Sequence, residues 1–162
     1  MILMLRRVLK EVKEYKAASV ATPIFMIGEV LMETLIPFLM ASIIDDGVNA
    51  GDIDHIYKVG GLMILAAAIG LAAGMAGGRF AAKASAGLAK NLRESMFNQI
   101  QTYSFANIDR FSTAGLVTRL TTDVTNVQMA YQMSLRMMMR APASMLCAML
   151  MAFSINAELS MI

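Results

Sequence analysis

The chain has 162 residues, of which 57% are hydrophobic and 16% are charged, and its formal net charge is +2. Charged residues make up about a quarter of an average soluble domain, so this composition and a mean hydropathy of +0.59 exclude that class and predict an integral membrane protein. The single cysteine, Cys147, excludes an internal disulfide and a thiolate metal cluster.

Residues 1–15 are predicted to form an amphipathic helix that lies on the inner membrane surface. Apolar residues recur there at helical spacing, at Leu5, Val8, Leu9 and Val12. The cationic residues lie on the other faces, at Arg6, Arg7, Lys10 and Lys13. Aspartates follow the first apolar run, at Asp45, Asp46, Asp52 and Asp54. The positive-inside rule therefore predicts a cytoplasmic N-terminus and an external aspartate-rich loop.

The first membrane span is predicted over residues 17–44, which exceed the roughly 20 residues that a helix needs to cross a bilayer. Glu29 and Glu33 lie one turn apart on one face of this helix. Because an anionic carboxylate is costly in lipid, two interpretations stay open. The carboxylates are satisfied by partner helices or by protonation, or they line a cavity that attracts cationic or polar cargo.

A short outer loop should follow this span, since Gly47, Asn49 and Gly51 are turn residues and Asp52 is placed to cap the next helix. We expect the lone His55 to be solvated. The second span is predicted over residues 56–102, with its last part continuing as a charged cytoplasmic helix. Small residues every four positions predict a packing seam along it, at Ala66, Gly70, Gly74, Gly78, Ala82 and Ala86.

A third span is predicted over residues 113–155, with Arg136 and Arg140 at its entry from the inner side and Pro142 bending the helix. The start of a fourth span is predicted over residues 157–162, so we expect the sequence to be truncated after the third span.

The polar stretch 103–125 turns the chain between the second and third spans. Phe105, Ile108 and Phe111 would share one face of a short helix over about 104–111, and Ser112 or Thr113 is a suitable N-cap for the returning helix. Exposed aromatic side chains predict a docking partner. The alternative is that these aromatic side chains pack against the tip of their own hairpin.

The run LRESMFNQIQTYSFANIDRFSTAGLVTRLTTDVTNVQ resembles the first intracellular loop of ABC exporter transmembrane domains. The positions that carry the resemblance are Leu92, Arg93, Phe97, Phe105, Asn107, Asp109, Phe111, Ser112, Thr113, Gly115, Leu116, Arg119, Leu120, Asp123 and Val124. Ala114 makes the turn one residue longer than the commoner pattern. The sequence of these motifs is most similar to that of bacterial half-transporters of the multidrug and lipid type.

The resemblance implies an all-α integral membrane fold, an ABC type 1 exporter-like bundle with long cytoplasmic helix extensions. Residues 1–15 would then be the elbow helix, residues 16–162 a partial transmembrane domain, and residues 104–111 the coupling helix. The contact with a nucleotide-binding domain would be made by Phe105, Asn107, Ile108, Asp109 and Phe111.

The resemblance also implies partners and cofactors outside this chain. The partners would be membrane lipid, a nucleotide-binding domain, a second half-transporter, either identical or paralogous, and a small-molecule substrate; no nucleic acid is expected. ATP and Mg would bind the nucleotide-binding domain, because the 162 residues contain no GxxxxGK[ST] phosphate loop. We expect no cofactor, metal or catalytic residue here, and location in the plasma (inner) membrane.

The function implied is the permease part of an ATP-driven exporter of amphiphilic drug-like or lipid-like substrates. Its cargo cavity would be lined by Glu29, Glu33, Met26, Met32, Met138 and Met145, since thioethers make adaptable apolar walls. Alternatively, methionine is only apolar filler. The competing functions are a membrane signalling protein with a cytoplasmic helical hairpin and, with less support, an intramembrane enzyme that uses the two glutamates.

Overall fold

The structure is a computed structural model that describes residues 8–103 and 112–155. Every regular element in that part of the chain is helical, which confirms the all-α fold class. A 3₁₀ turn at Lys13–Tyr15 leads into helix α1, Lys16–Ser42, which continues as a π-helical segment, Ile43–Val48. The remaining elements are α2, Ile53–Gln101; α3, Thr113–Thr118; a second π-helical segment, Arg119–Asp123; and α4, Val124–Ile155.

Two helical stretches of the described chain are long and apolar enough to cross a membrane. They are Lys13–Val48, with 36 residues, and Ile53–Gln101, with 49 residues. Both exceed the roughly 20 residues that a bilayer requires. The assignment of 113–155 as a third span stays a prediction, and residues 157–162 lie outside the described residues, as do the first seven residues of the predicted elbow helix.

The loop between α1 and α2 is held by its own polar side chains. The Asp52 side chain accepts a hydrogen bond from the His55 backbone N–H at 3.1 Å, which confirms Asp52 as the cap of α2. The His55 ring is not simply solvated, because its Nε2 lies 3.0 Å from the Ser42 hydroxyl. Gly51 adopts a positive φ of 71°, a conformation that favours glycine at the turn.

The chain folds into two compact units. The first unit contains Met1–Ala21 and Arg79–Leu135, and the second contains Thr22–Gly78 and Arg136–Ile162. Each therefore draws on the three long helical runs of the chain.

In the second unit, the small residues of α2 form part of the predicted seam with α1. Ala66 is buried, and a Cβ placed on Gly70 would lie 3.2 Å from the Met32 Cβ. Two turns beyond Gly70, however, the close approach to α1 is at Gly77, whereas nothing lies within 4 Å of a Cβ placed on Gly78. The predicted seam is therefore correct at its start and displaced from Gly78 onward.

The displacement continues in the first unit, where Ala82 and Ala86 are exposed and the buried positions are Ala81, Ala84, Ser85, Gly87, Leu88 and Ala89. The reason is helical geometry: with about 3.6 residues per turn, a step of four residues overshoots one turn by about 40°. A strict four-residue repeat consequently winds away from the contact face.

The charged end of α2 packs against the returning helices in the first unit. The apolar stripe of α2 and that of α3 and α4 share two grooves, whose apolar lining includes Leu92, Met96, Ile100, Leu116, Val124 and Val127. Ser112 is the N-cap of α3, since its hydroxyl accepts a hydrogen bond from the Gly115 N–H at 3.2 Å. The extra residue Ala114 therefore lies within the first turn of the helix.

Candidate functional site

The candidate site begins with two carboxylates on the interior turns of α1. Lys16–Ser42 is helical throughout although it contains Pro23 and Pro37. Glu29 and Glu33 are one turn apart on this helix, so their side chains project from the same face.

Arg140 of α4 bonds to both carboxylates. Its Nη1 donates to Glu29 Oε1 at 3.1 Å, and its Nη2 donates to Glu33 Oε2 at 2.9 Å. A planar guanidinium suits this arrangement, because its fork offers two donors at fixed spacing. The three side chains form an ion bridge between α1 and α4, which we call the Glu–Arg–Glu bridge, with a formal charge of −1 when all three groups are ionised.

Gly74 of α2 completes the surroundings of Glu29. A Cβ on Gly74 would lie 3.0 Å from the Glu29 carboxylate carbon, closer than side chains normally approach. Within the described residues, Glu29 Oε2 is buried and has no hydrogen-bond partner. The glycine thus allows α2 to pack directly against one of the two carboxylates, whose other oxygen is held by Arg140.

A groove of about 210 Å³ lies beside the bridge, between α1 and α2. Its lining combines the two carboxylates with apolar side chains: Glu29, Glu33, Met32, Ile36, Ala66 and Leu71. The groove shares with small-molecule sites an apolar lining that has a few polar groups at one side, although its volume is below the roughly 300 Å³ of a typical site.

The four methionines predicted to line a cavity occupy different environments. Met32 lines the groove with the two glutamates. Met26 is fully buried, with its Cε packed against Gly77. Met138 and Met145 are 72% and 66% exposed. Of the four, the structure brings only Met32 to the groove beside the carboxylates.

Arg140 is the residue of this site that the sequence analysis did not identify. Its position at the entry of the third span stays a prediction, and the structure adds its contact with the interior turns of α1. A signal was present in the sequence, because two carboxylates within one span require a compensating cation. Spacing along one chain does not say which cation of another helix lies at their level.

The residues predicted to contact a nucleotide-binding domain, Phe105, Asn107, Ile108, Asp109 and Phe111, lie outside the described residues. The helices on either side of them are joined by Arg93. Its Nε donates to the Leu120 carbonyl and its Nη2 to the Thr125 hydroxyl, both at 3.3 Å. Leu120 belongs to the π-helical segment Arg119–Asp123, so Arg93 bonds a carbonyl where the regular α-helical pattern is interrupted.

The N-terminal segment is attached to α2 within the first unit. Asn91 is 3% exposed, and its amide donates to the Glu11 backbone carbonyl at 2.8 Å. The Tyr15 ring packs directly on Gly87. The Lys13 ammonium lies 2.9 Å from the Glu11 carboxylate, and this hydrogen bond lowers the pKa of Glu11 against the opposing effect of its partial burial.

These features define an integral membrane protein built of long helices, and comparison with known proteins gives its family. The ABC transporter transmembrane region matches residues 20–162. The chain belongs to this family, and its membership favours transport over the signalling and enzymatic alternatives.

Two bacterial relatives have names that state a transporter family but no substrate. The uncharacterized ABC transporter ATP-binding protein YfiB of Bacillus subtilis strain 168 is 34% identical over 155 residues, which cover 96% of this chain and 27% of the relative. The uncharacterized ABC transporter ATP-binding protein Rv1273c of Mycobacterium tuberculosis H37Rv is 26% identical over 93% of this chain and 26% of its own length.

A third relative is named for a substrate. The ATP-dependent lipid A-core flippase of Pseudoalteromonas translucida is 25% identical over 97% of this chain and 27% of the flippase. The chain therefore spans about a quarter of the length of these relatives.

Proposed function

We propose that this chain is the transmembrane part of an ATP-driven exporter that moves amphiphilic, drug-like or lipid-like substrates outward across the plasma (inner) membrane. The observation that carries the proposal is the family match over residues 20–162. The mixed groove beside the Glu–Arg–Glu bridge supports a substrate with both an apolar body and a polar group. One relative is named a lipid A-core flippase, which supports the lipid-like part of this substrate class.

ATP and Mg would be held by a nucleotide-binding domain outside these residues. Residues 1–162 contain no phosphate-loop motif, and no group of three or more metal-ligating side chains occurs in the described part of the chain. This chain would supply the path for the substrate, and a second half-transporter would supply its other wall. The lysines and arginines before α1 support a cytoplasmic N-terminus.

The test is transport by the complete protein that contains this chain, reconstituted in liposomes with a fluorescent lipid or a cationic dye. We expect substrate movement that requires Mg-ATP and stops when a non-hydrolysable ATP analogue replaces ATP. Movement at the same rate without ATP, or none for either substrate class, would contradict the proposed function.

Glu29 and Glu33 are proposed to select cationic cargo within this function. Replacing both (E29Q/E33Q) removes the negative charge with little change of shape, so transport of a cationic dye should fall while transport of a neutral lipid persists. Arg136→Gln, an exposed charge one turn before Arg140 on α4, is the control. Equal transport of both cargoes by E29Q/E33Q and the unmodified protein would refute this assignment.

A further inference from the structure

The Glu–Arg–Glu bridge already holds a cation in the subsite that a cationic substrate would use. The Arg140 guanidinium spans the two carboxylates at 3.1 and 2.9 Å, as an ammonium or guanidinium group of a ligand would do. A second cation at the same oxygens would meet the positive charge of Arg140. The ligand and Arg140 therefore compete for the two carboxylates.

The predicted position of the two carboxylates within a membrane span strengthens this competition, because carboxylates there are costly without a counter-ion. Glu29, 24% exposed at its side chain, is the more enclosed of the two. Exchange of Arg140 for a ligand cation keeps the carboxylates compensated, whereas departure of Arg140 alone does not.

The groove has space for the apolar part of a ligand next to the two carboxylates. Both glutamates line the groove and both contact Arg140. A ligand with one cationic group and an apolar body gains the ion pair and buries apolar area. A neutral ligand gains only the apolar contact, and it leaves the bridge intact.

Both helices that carry the bridge have a proline beside it. Pro37 follows Glu33 by four residues and cannot donate to the Glu33 carbonyl, and Pro142 lies two residues after Arg140. Missing helical hydrogen bonds are common sites of bending. α1 and α4 can therefore each bend at a proline close to the bridge, where Arg140 would separate from the glutamates.

We propose that Arg140 is a specificity-determining residue that acts as an internal competitor, so that monocationic amphiphiles bind by displacing it. This inference rests on the exporter function proposed above and defines the substrate class of its groove. Arg140 sets the affinity for cations and leaves the affinity for neutral substrates unchanged. A purely structural role of the bridge predicts the opposite for cations, because loss of Arg140 would disorder the subsite and weaken their binding.

The test measures ethidium binding to the complete transporter in nanodiscs by fluorescence anisotropy, with the neutral dye Nile red as comparison. Arg140→Gln should lower the Kd for ethidium by more than about tenfold, the factor expected if the free subsite is populated less than about a tenth of the time, and leave the Kd for Nile red unchanged. Arg136→Gln should change neither. An unchanged or raised Kd for ethidium in R140Q would overturn the proposal.

A second measurement uses the unmodified protein, so it does not depend on the folding of a variant. Saturating ethidium should increase modification of Arg140 by phenylglyoxal, read by mass spectrometry, and leave that of Arg136 unchanged. Protection of Arg140, or no change, would overturn the proposal. If ethidium does not bind but Mg-ATP still drives a fluorescent lipid across the liposome membrane, the competitor role of Arg140 fails while the exporter function stands; loss of both refutes both.

Discussion

Gly87 has no room for a side chain, because the Tyr15 ring lies where its Cβ would be. Gly87→Ala should therefore destabilise the first unit by about 1–3 kcal/mol, the usual cost of overpacking. Gly78→Ala is the matched control on the same helix, since nothing lies within 4 Å of its Cβ position. There, the higher helix propensity of alanine should stabilise the protein by up to about 1 kcal/mol. Thermal unfolding followed by circular dichroism in detergent micelles measures both, and equal effects at the two glycines would contradict the packing.

Glu11 gives a pH dependence whose sign follows from its lowered pKa. A depressed pKa in the folded state stabilises the protein above the ordinary glutamate value of about 4.3, and this contribution is lost as the pH falls through the lowered pKa. The difference in free energy of unfolding between the unmodified protein and Glu11→Gln should be constant from about pH 5 to about pH 7. It should decrease as the pH falls below about 4.3. The effect should be small, because Lys13 is half exposed.

The control for that experiment is Glu14→Gln, a change at an exposed neighbour. Unfolding midpoints of the three proteins across the pH series give the comparison. A difference for Glu11→Gln that grows in acid would have the wrong sign for a lowered pKa.

The residues of the candidate site show how far sequence reasoning reaches. Helical spacing alone placed Glu29 and Glu33 on one face, since both belong to one element. Their partner Arg140 is 107 residues beyond Glu33, and a pairing between helices depends on their relative depth and rotation. The full burial of Met26 likewise depends on Gly77 of another helix, which no repeat within α1 can indicate.

At the scale of elements, Asn91 fixes the N-terminal segment to α2. Asn91→Ala leaves the Glu11 carbonyl without this donor, which costs about 1–3 kcal/mol when the group stays buried. Backbone amides of residues 8–15 should then exchange faster in hydrogen-exchange mass spectrometry. Asn98→Ala, an exposed change on the same helix, should leave their exchange unaltered; equal exchange in both variants would exclude Asn91 as an anchor.

The helices themselves were largely predictable and their contact faces were not. Apolar runs predicted α1 and α2, and turn residues predicted the loop between them with Asp52 as the cap of α2. The π-helical segments Ile43–Val48 and Arg119–Asp123 carry no distinctive residue pattern and were missed. The seam of α2 was displaced from Gly78 onward because a four-residue repeat is not the period of the helix.

At the scale of the whole molecule, the coupling role of 104–111 stays a prediction with a direct test. A cysteine at Asn107, in a Cys147→Ala background with any cysteines elsewhere in the protein also removed, should cross-link to a cysteine in the groove of the nucleotide-binding domain. We expect the yield to change when ATP is added, because closure of that domain would carry the contact with it. A cysteine at the exposed Asn98 is the control. No cross-link from Asn107 in the folded complex would argue against docking.

Because Met26 is buried, its methyl group can serve as a native NMR probe of a contact between helices. Of the 17 methionines in the sequence, Met26 is fully buried with its methyl group on Gly77, whereas Met137, Met138 and Met145 are more than 60% exposed. With ¹³C-methyl methionine, the Met26 resonance would report separation of α1 from α2 through the loss of its close packing. The exposed methyl groups would report the lipid or protein surface that covers them. One isotope label, with no introduced cysteine or dye, can thus follow an interior helix contact and the outer surface in the same spectrum.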